Sequence, residues 1–295
     1  MKRYTAHAKR DCQGYRDMST AYWDEWRRRS AVPAARVGRT LLGEVPRLRS
    51  MLDTRLPPAR MLDPLGVMVR EAPGFAAPGA CQSSENGHRI WLRKDDDIRR
   101  RRFTLCHELG HLLLKYAGQE DLLPVSAVER LCDEFASLLL IDRSGLAERL
   151  ANGFQWAPSN VLALCREWKS NLTPMILALN GVIPEGGPVV LIASNRMNPR
   201  TGADAGYRID AAAGGLLFLP RNQRLTSLGF VELASWSEGA LPGKQAEGLD
   251  LAVRIAVLRR KEDGGSMLSG RACWKAAKLA HGILAVVDTS GMVRA

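Results

Sequence analysis

Through the first 180 residues apolar positions recur with helical spacing, and beyond about residue 188 they gather into short strand-like runs. Tyr22 to Arg29 predicts a helix with aromatic anchors and a basic face, and Ala34 to Leu52 a further one through Val37, Leu41, Leu42, Val45 and Leu48. Pro57-Pro58 closes that region. Met61 to Val69 predicts a short helix, and the Gly/Pro-rich stretch Glu71 to Gly87 a set of turns before a strand at His88–Leu92. The most regular segment is Asp97 to Tyr116, where Phe103, Cys106, Leu109 and Leu113 share a face behind the basic run Arg99 to Arg102. Ser126 to Ile141 is a second amphipathic helix, with Val128, Leu131, Phe135 and Leu138 as its stripe. Shorter helices follow at Gly145–Ala151, Ser159–Lys169 and Pro174–Leu179, with the spacing of a helix-turn-helix-like unit.

Ile183-Pro-Glu-Gly-Gly-Pro188 is the expected domain boundary. After it, Val189–Ala193, Tyr207–Ala211, Leu216–Leu219, Leu251–Val257 and Ile283–Val287 are strand-like, and Trp274–His281 predicts a helix. The expected fold class is therefore α+β. A basic helical segment spans 1–60, and a helical domain spans 61–182 with its helix-turn-helix-like end at about 142–180. A separate α+β domain covers 183–295.

Composition narrows the classes. With 25% charged and 46% hydrophobic residues the chain is ordinary for a soluble globular protein, which excludes wholesale disorder. No apolar run approaches the roughly 20 residues of a membrane span. The polar, basic start lacks the apolar core of a secretory signal, so a cytoplasmic protein with no membrane partner is expected. Six scattered cysteines without C-x-x-C spacing exclude a disulfide scaffold and a cysteine zinc finger. The net charge of +11 is uneven: residues 1–60 carry +8, residues 61–178 carry −1 and residues 179–295 carry +4. Basic residues interleaved with Tyr22, Trp23 and Trp26 suit single-stranded DNA, where bases stack on aromatics and phosphates pair with arginine.

The candidate chemistry lies inside the most regular helix, as His107-Glu108-Leu109-Gly110-His111. Histidines at i and i+4 share a helix face, which lets both imidazoles reach one Zn²⁺, while Glu108 sits one position round as a proton acceptor. With 5 His and 15 Glu in the chain, about 0.004 such patterns are expected by chance. A catalytic zinc needs about three protein ligands. Candidates for the third are Glu120, Asp121, Glu129, Asp133 and Glu134. Glu129 and Asp133 lie at i and i+4 off the apolar stripe of the second helix, so Glu129 suits a ligand and Asp133 a carboxylate that orients a ligand histidine. Ser126-x-x-Glu129 also has the form of a capping box, which by itself would account for a Glu there.

Two blocks, Arg102-Phe103-Thr104-Leu105-Cys106-His107-Glu108-Leu109-Gly110-His111-Leu112-Leu113-Leu114 and Glu129-x-x-Cys132-Asp133-x-Phe135-Ala136-x-Leu138-Leu139, resemble the ImmA/IrrE family of zinc metallopeptidases. The departures are Cys106 and Cys132 at usual Ala positions, Lys115 where a His often follows the Leu run, and no Met-Pro after Leu140. The resemblance covers roughly residues 60–180. It implies a zincin-like peptidase whose zinc is held by His107, His111 and Glu129, with Glu108 as the catalytic base. It further implies a helix-turn-helix (XRE-type) repressor as protein substrate, destroyed in response to stress, DNA damage or phage. The layout beside such regulators suggests a GAF-like sensor for residues 183–295.

Three further residues are candidates. Cys81, before the His88–Leu92 strand, could supply an inhibitory fourth zinc ligand. His88 and Tyr116 are candidate stabilisers of the tetrahedral oxyanion. The competing class is a non-catalytic nucleic-acid-binding regulator with a structural zinc; Glu108 discriminates, because only hydrolysis requires it.

Overall fold

The structure is a computed structural model, and it describes residues 19–84, 87–184, 187–197, 204–214, 223–257, 266–290 and 292–294. The chain divides into two units, Met1–Ile141 and Asp142–Ala295. No helix among the described residues is long and apolar enough to cross a membrane.

In the first unit, helix α1 (19–30) turns Tyr22, Trp23 and Trp26 inward, each at most 3% exposed, and leaves Arg27, Arg28 and Arg29 on the outside. Trp23 donates its indole N–H to Leu65 O (2.8 Å) and Trp26 to Leu113 O (2.9 Å). These aromatics are core anchors, so the expected stacking surface for single-stranded DNA is not there: positions i, i+1 and i+4 form one buried stripe. The expected helix over Ala34–Leu52 is two, α2 (Ala34–Gly43) and α3 (Val45–Met51), because Pro46 in the first turn of α3 has no N–H to continue the ladder.

The segment Met61–Val69 is not a helix. Helix α4 (Pro58–Met61) and a 3-10 turn (Asp63–Leu65) end at Gly66, whose φ of 64° reverses the chain into strand β1 (Val67–Ala72). The turn-rich stretch likewise holds a strand, β2 (Gly79–Ser84), ahead of β3 (Gly87–Arg93). The sheet order is β1-β3-β2, with β1 parallel and β2 antiparallel to β3. Lying at an edge, β2 shows none of the apolar alternation that would announce a strand.

Helix α5 (Ile98–Tyr116) starts where Asp97 accepts the N–H groups of Arg99 (2.8 Å) and Arg100 (3.2 Å), a side-chain cap. Helix α6 (Val125–Leu140) packs against it, and Gly110 sets their approach: a Cβ there would lie 3.2 Å from both Cys132 Sγ and Phe135. Cys106 and Cys132 are fully buried at this contact.

The second unit begins with α7 (Arg143–Ala151), α8 (Pro158–Glu167) and α9 (Leu172–Leu179). Its sheet is antiparallel in the order β5-β4-β8-β7-β6, from β4 (Val189–Met197), β5 (Asp204–Ala213), β6 (Gln245–Val257), β7 (Ser266–Lys278) and β8 (Ile283–Asp288). A short β9 (Met292–Arg294) pairs with β7. Helices α8 and α9 pack on this sheet, so the chain divides before α7 rather than at 183–188. The expected helix Trp274–His281 is the end of β7 and the turn after it. Ala272, Trp274 and Ala276 face the core while Cys273 and Lys275 face outward, and pairing with β6 and β8 overrides the helical preference of the Ala/Lys run. Helix α10 (Val231–Gly239) has no counterpart in the expectations, and Leu216–Leu219 lies outside the described residues.

Candidate metal centre

Helix α5 buries Leu105, Cys106, Leu109, Leu112 and Leu113 completely, which fixes its rotation and turns His107 and His111 together towards α6. His107 Nδ1 lies 3.1 Å from Asp133 Oδ1, and His111 Nδ1 lies 2.7 Å from Glu120 Oε1. An ionised carboxylate only accepts, so each imidazole carries its proton on Nδ1 and leaves Nε2 as a lone pair. The two Nε2 atoms are 3.1 Å apart, and Glu129 brings Oε2 to 3.5 Å from His107 Nε2 and Oε1 to 3.4 Å from His111 Nε2.

Two imidazole lone pairs and the two oxygens of the Glu129 carboxylate thus face one another, an electron-rich group that a shared cation would hold together. Donors bound tetrahedrally about 2.0–2.1 Å from one zinc are separated by about 3.3–3.4 Å, close to the 3.1 Å between the two Nε2 atoms and the 3.4 and 3.5 Å from each of them to a Glu129 oxygen. Among the described residues, His107, His111 and Glu129 form the group of His, Cys, Asp or Glu able to hold one ion, with ligand atoms all within 4.8 Å. The donor set fits a divalent zinc.

Glu129 is not explained by capping. Pro124 occupies the N-cap of α6, no side chain caps that end, and Ser126 already lies within the helix. Glu129 remains 54% exposed, with its carboxylate turned to the two histidines.

Glu108, Thr104, Lys115 and Arg100 line the same cleft of about 600 Å³, whose opposite wall is Pro78 to Cys81 at the start of β2. Gly79 is what lets β2 pass so close: a Cβ there would come within 2.5 Å of Thr104 Cγ2 and 2.9 Å of Glu108 Cγ. Burial disfavours the charged form of His107, but Asp133, Glu108 and Glu129 outweigh it and raise its pKa above the ordinary imidazole value.

Cys81 reaches the cleft but not the ligand group. Its Sγ accepts from Lys115 Nζ at 3.5 Å, and burial together with the Glu108 charge pushes the thiol up to about 12. His88 and Tyr116, the expected oxyanion stabilisers, do not line the cleft among the described residues. Tyr116 lies nine positions after His107, about 180° round the helix, and its hydroxyl donates to Asp24 of α1 (3.3 Å). The His88 ring packs 4.0 Å from that of Trp23 and 5.2 Å from that of Tyr116, and burial lowers its pKa. Sequence reasoning offered Glu120 only as a possible ligand; in the structure it is the carboxylate that orients His111, presented by the 3-10 turn Glu120–Leu122. Arg100 and Lys115 carried one signal, a seven- and eight-residue spacing from His107 on one helix.

Residues 63–168 match the model of the peptidase M78 family, described as an IrrE N-terminal-like domain. No curated protein matches the chain. A solved structure titled as a Mycobacterium tuberculosis transcriptional regulator is similar over 86% of this chain and 87% of its own, at 12% identity and a TM-score of 0.46.

Proposed function

We propose that this chain, which belongs to the ImmA/IrrE family through its IrrE N-terminal-like domain at residues 63–168, is a zinc-dependent endopeptidase that cleaves a helix-turn-helix (XRE-type) repressor. Its action would release a stress, DNA-damage or anti-phage operon. The observation that carries the reading is the convergence of His107 Nε2, His111 Nε2 and the Glu129 carboxylate in a cleft also lined by Glu108. Zinc, when bound, supplies a Lewis acid for the scissile carbonyl and makes a water nucleophilic near neutral pH.

The chain's own residues do the rest. Asp133 and Glu120 hold the two Nδ1 protons, so both Nε2 lone pairs stay aimed at one point. Glu108 accepts a proton from the attacking water and hands it to the departing amine nitrogen. Among the described residues strand β2 pairs only with β3, and its open edge along the cleft suits an extended peptide added as a further strand.

For the second unit the GAF-like sensor reading is supported by its antiparallel sheet, with α10 against it, and by a cavity of about 600 Å³ lined by residues including Trp156, Cys273, Lys275 and Asp288. Activation by single-stranded DNA keeps only electrostatic support, from exposed arginines such as Arg27 and Arg28.

The test is to incubate the zinc-loaded protein with the repressor encoded beside its gene. Two repressor fragments are expected. Glu108→Gln should retain about one zinc per chain and cut at least about 10²–10⁴-fold more slowly. Cleavage by that variant at the wild-type rate would remove the assignment of Glu108.

A further inference from the structure

Two cations stand at opposite ends of the cleft on the same helix face. Arg100 precedes His107 by seven residues and Lys115 follows it by eight. At 100° per residue, Arg100, Thr104, His107, Glu108, His111 and Lys115 fall within a sector of about 100°, and all six line the cleft. The fifteen-residue step from one cation to the other corresponds to about 22 Å of helix axis, the length of six or seven residues of extended peptide at about 3.3 Å each.

Neither cation is consumed by its neighbours. Arg100 is 53% exposed, with Nε 3.4 Å from Asp96, and Lys115 is 39% exposed, with Nζ 3.8 Å from Glu120. Glu120 is itself committed to His111 at 2.7 Å, and only one of the three N–H donors of Lys115 meets Cys81. The centre of the cleft has the opposite character. Glu108, Glu129 and Asp133 gather there, so the positive charge offered by the protein's own side chains lies at the two ends, where an acidic side chain is attracted.

We propose that the cleft selects an extended peptide with an acidic side chain on each side of the scissile bond, about six or seven positions apart, one read by Arg100 and the other by Lys115. This deepens the peptidase reading and rests on it. The ordinary alternative, that both are solvated helix charges, predicts no selectivity between neutral and acidic peptides.

The experiment measures binding, so it does not depend on turnover. The zinc-loaded Glu108→Gln protein is titrated into fluorescein-labelled peptides about twelve residues long, identical except for Glu, Gln or Lys at two positions about six apart. At low salt the Glu peptide should bind about five- to tenfold more tightly than the Gln peptide and the Lys peptide more weakly still, the preference fading as salt rises. Arg100→Gln and Lys115→Gln should each remove about two- to threefold of that preference, and the double variant all of it, with zinc content unchanged. Equal binding of Glu and Gln peptides by the parent overturns the proposal, as does a preference that survives the double variant. Failure of the peptidase reading is read separately: the wild-type protein would leave its repressor intact while the acidic preference and its loss persisted.

Discussion

In the first unit His107 and Asp133, and His111 and Glu120, bond side chain to side chain, whereas in the second unit the buried Asp250 and Ser237 bond to backbone. Asp250, only 3% exposed, accepts the N–H groups of Glu232 (2.6 Å) and Leu233 (3.3 Å) and so supplies α10 with the cap that Phe230, at its N-cap, cannot. Ser237 Oγ donates to Leu233 O at 2.6 Å within the same helix. A carboxylate on backbone donors completes secondary structure. A carboxylate on an imidazole pushes the free lone pair to the far side of the ring, where a second ring and Glu129 do the same. Burial of polar groups is thus common to both units, and the direction of the leftover lone pairs separates a site from a scaffold.

That contrast can be broken most forcefully at Glu129. Glu129→Ala should lower zinc affinity by more than the roughly 10–100-fold expected of a supporting residue, as measured by competition with a chromophoric chelator. Because Pro124 rather than a side chain caps α6, the metal-free variant should melt close to the wild type. A large loss of metal-free stability with unchanged affinity would return Glu129 to a structural role.

A smaller effect is expected one shell out. Asp133→Ala should weaken zinc binding about 10–100-fold, and Glu120→Ala by a similar factor, by releasing the tautomers of His107 and His111. If only Asp133 matters, the second orienting contact assigned to Glu120 is wrong and the symmetry of the two histidines goes with it.

Asp250→Ala sharpens the other side. It should cost about 1–2 kcal/mol, the scale of a lost helix cap, and leave zinc affinity untouched, with the loss visible as a few degrees in thermal unfolding. A change in metal binding would show that the two kinds of buried carboxylate are not distinct.

The parts of the site that were legible are those written within one helix. The period of α5, its Asp97 cap and the i, i+4 spacings of His107/His111 and Glu129/Asp133 are local geometry, which neighbours in sequence impose. Glu120 was harder to place because a 3-10 turn, not a periodic helix, aims it at His111. Strand β2 carries no apolar alternation, and Gly79, which admits it to the cleft wall, looks in sequence like one more turn glycine. Tyr116 and His88 were misplaced because a helix or strand position says nothing of which packed neighbour its far face meets.

By itself the sequence determined the composition class, the two amphipathic helices, and a histidine pair with a carboxylate beside it, all set by periodicity and side-chain chemistry. The tertiary structure alone decided that Tyr22, Trp23 and Trp26 are core rather than surface, that residues 274–278 are strand, and that α7–α9 belong with the second sheet. The physical reason is one of range. Backbone spacing fixes which residues share a face within one element, but burial and strand pairing depend on atoms brought from tens of residues away, as when Trp26 finds its acceptor on Leu113.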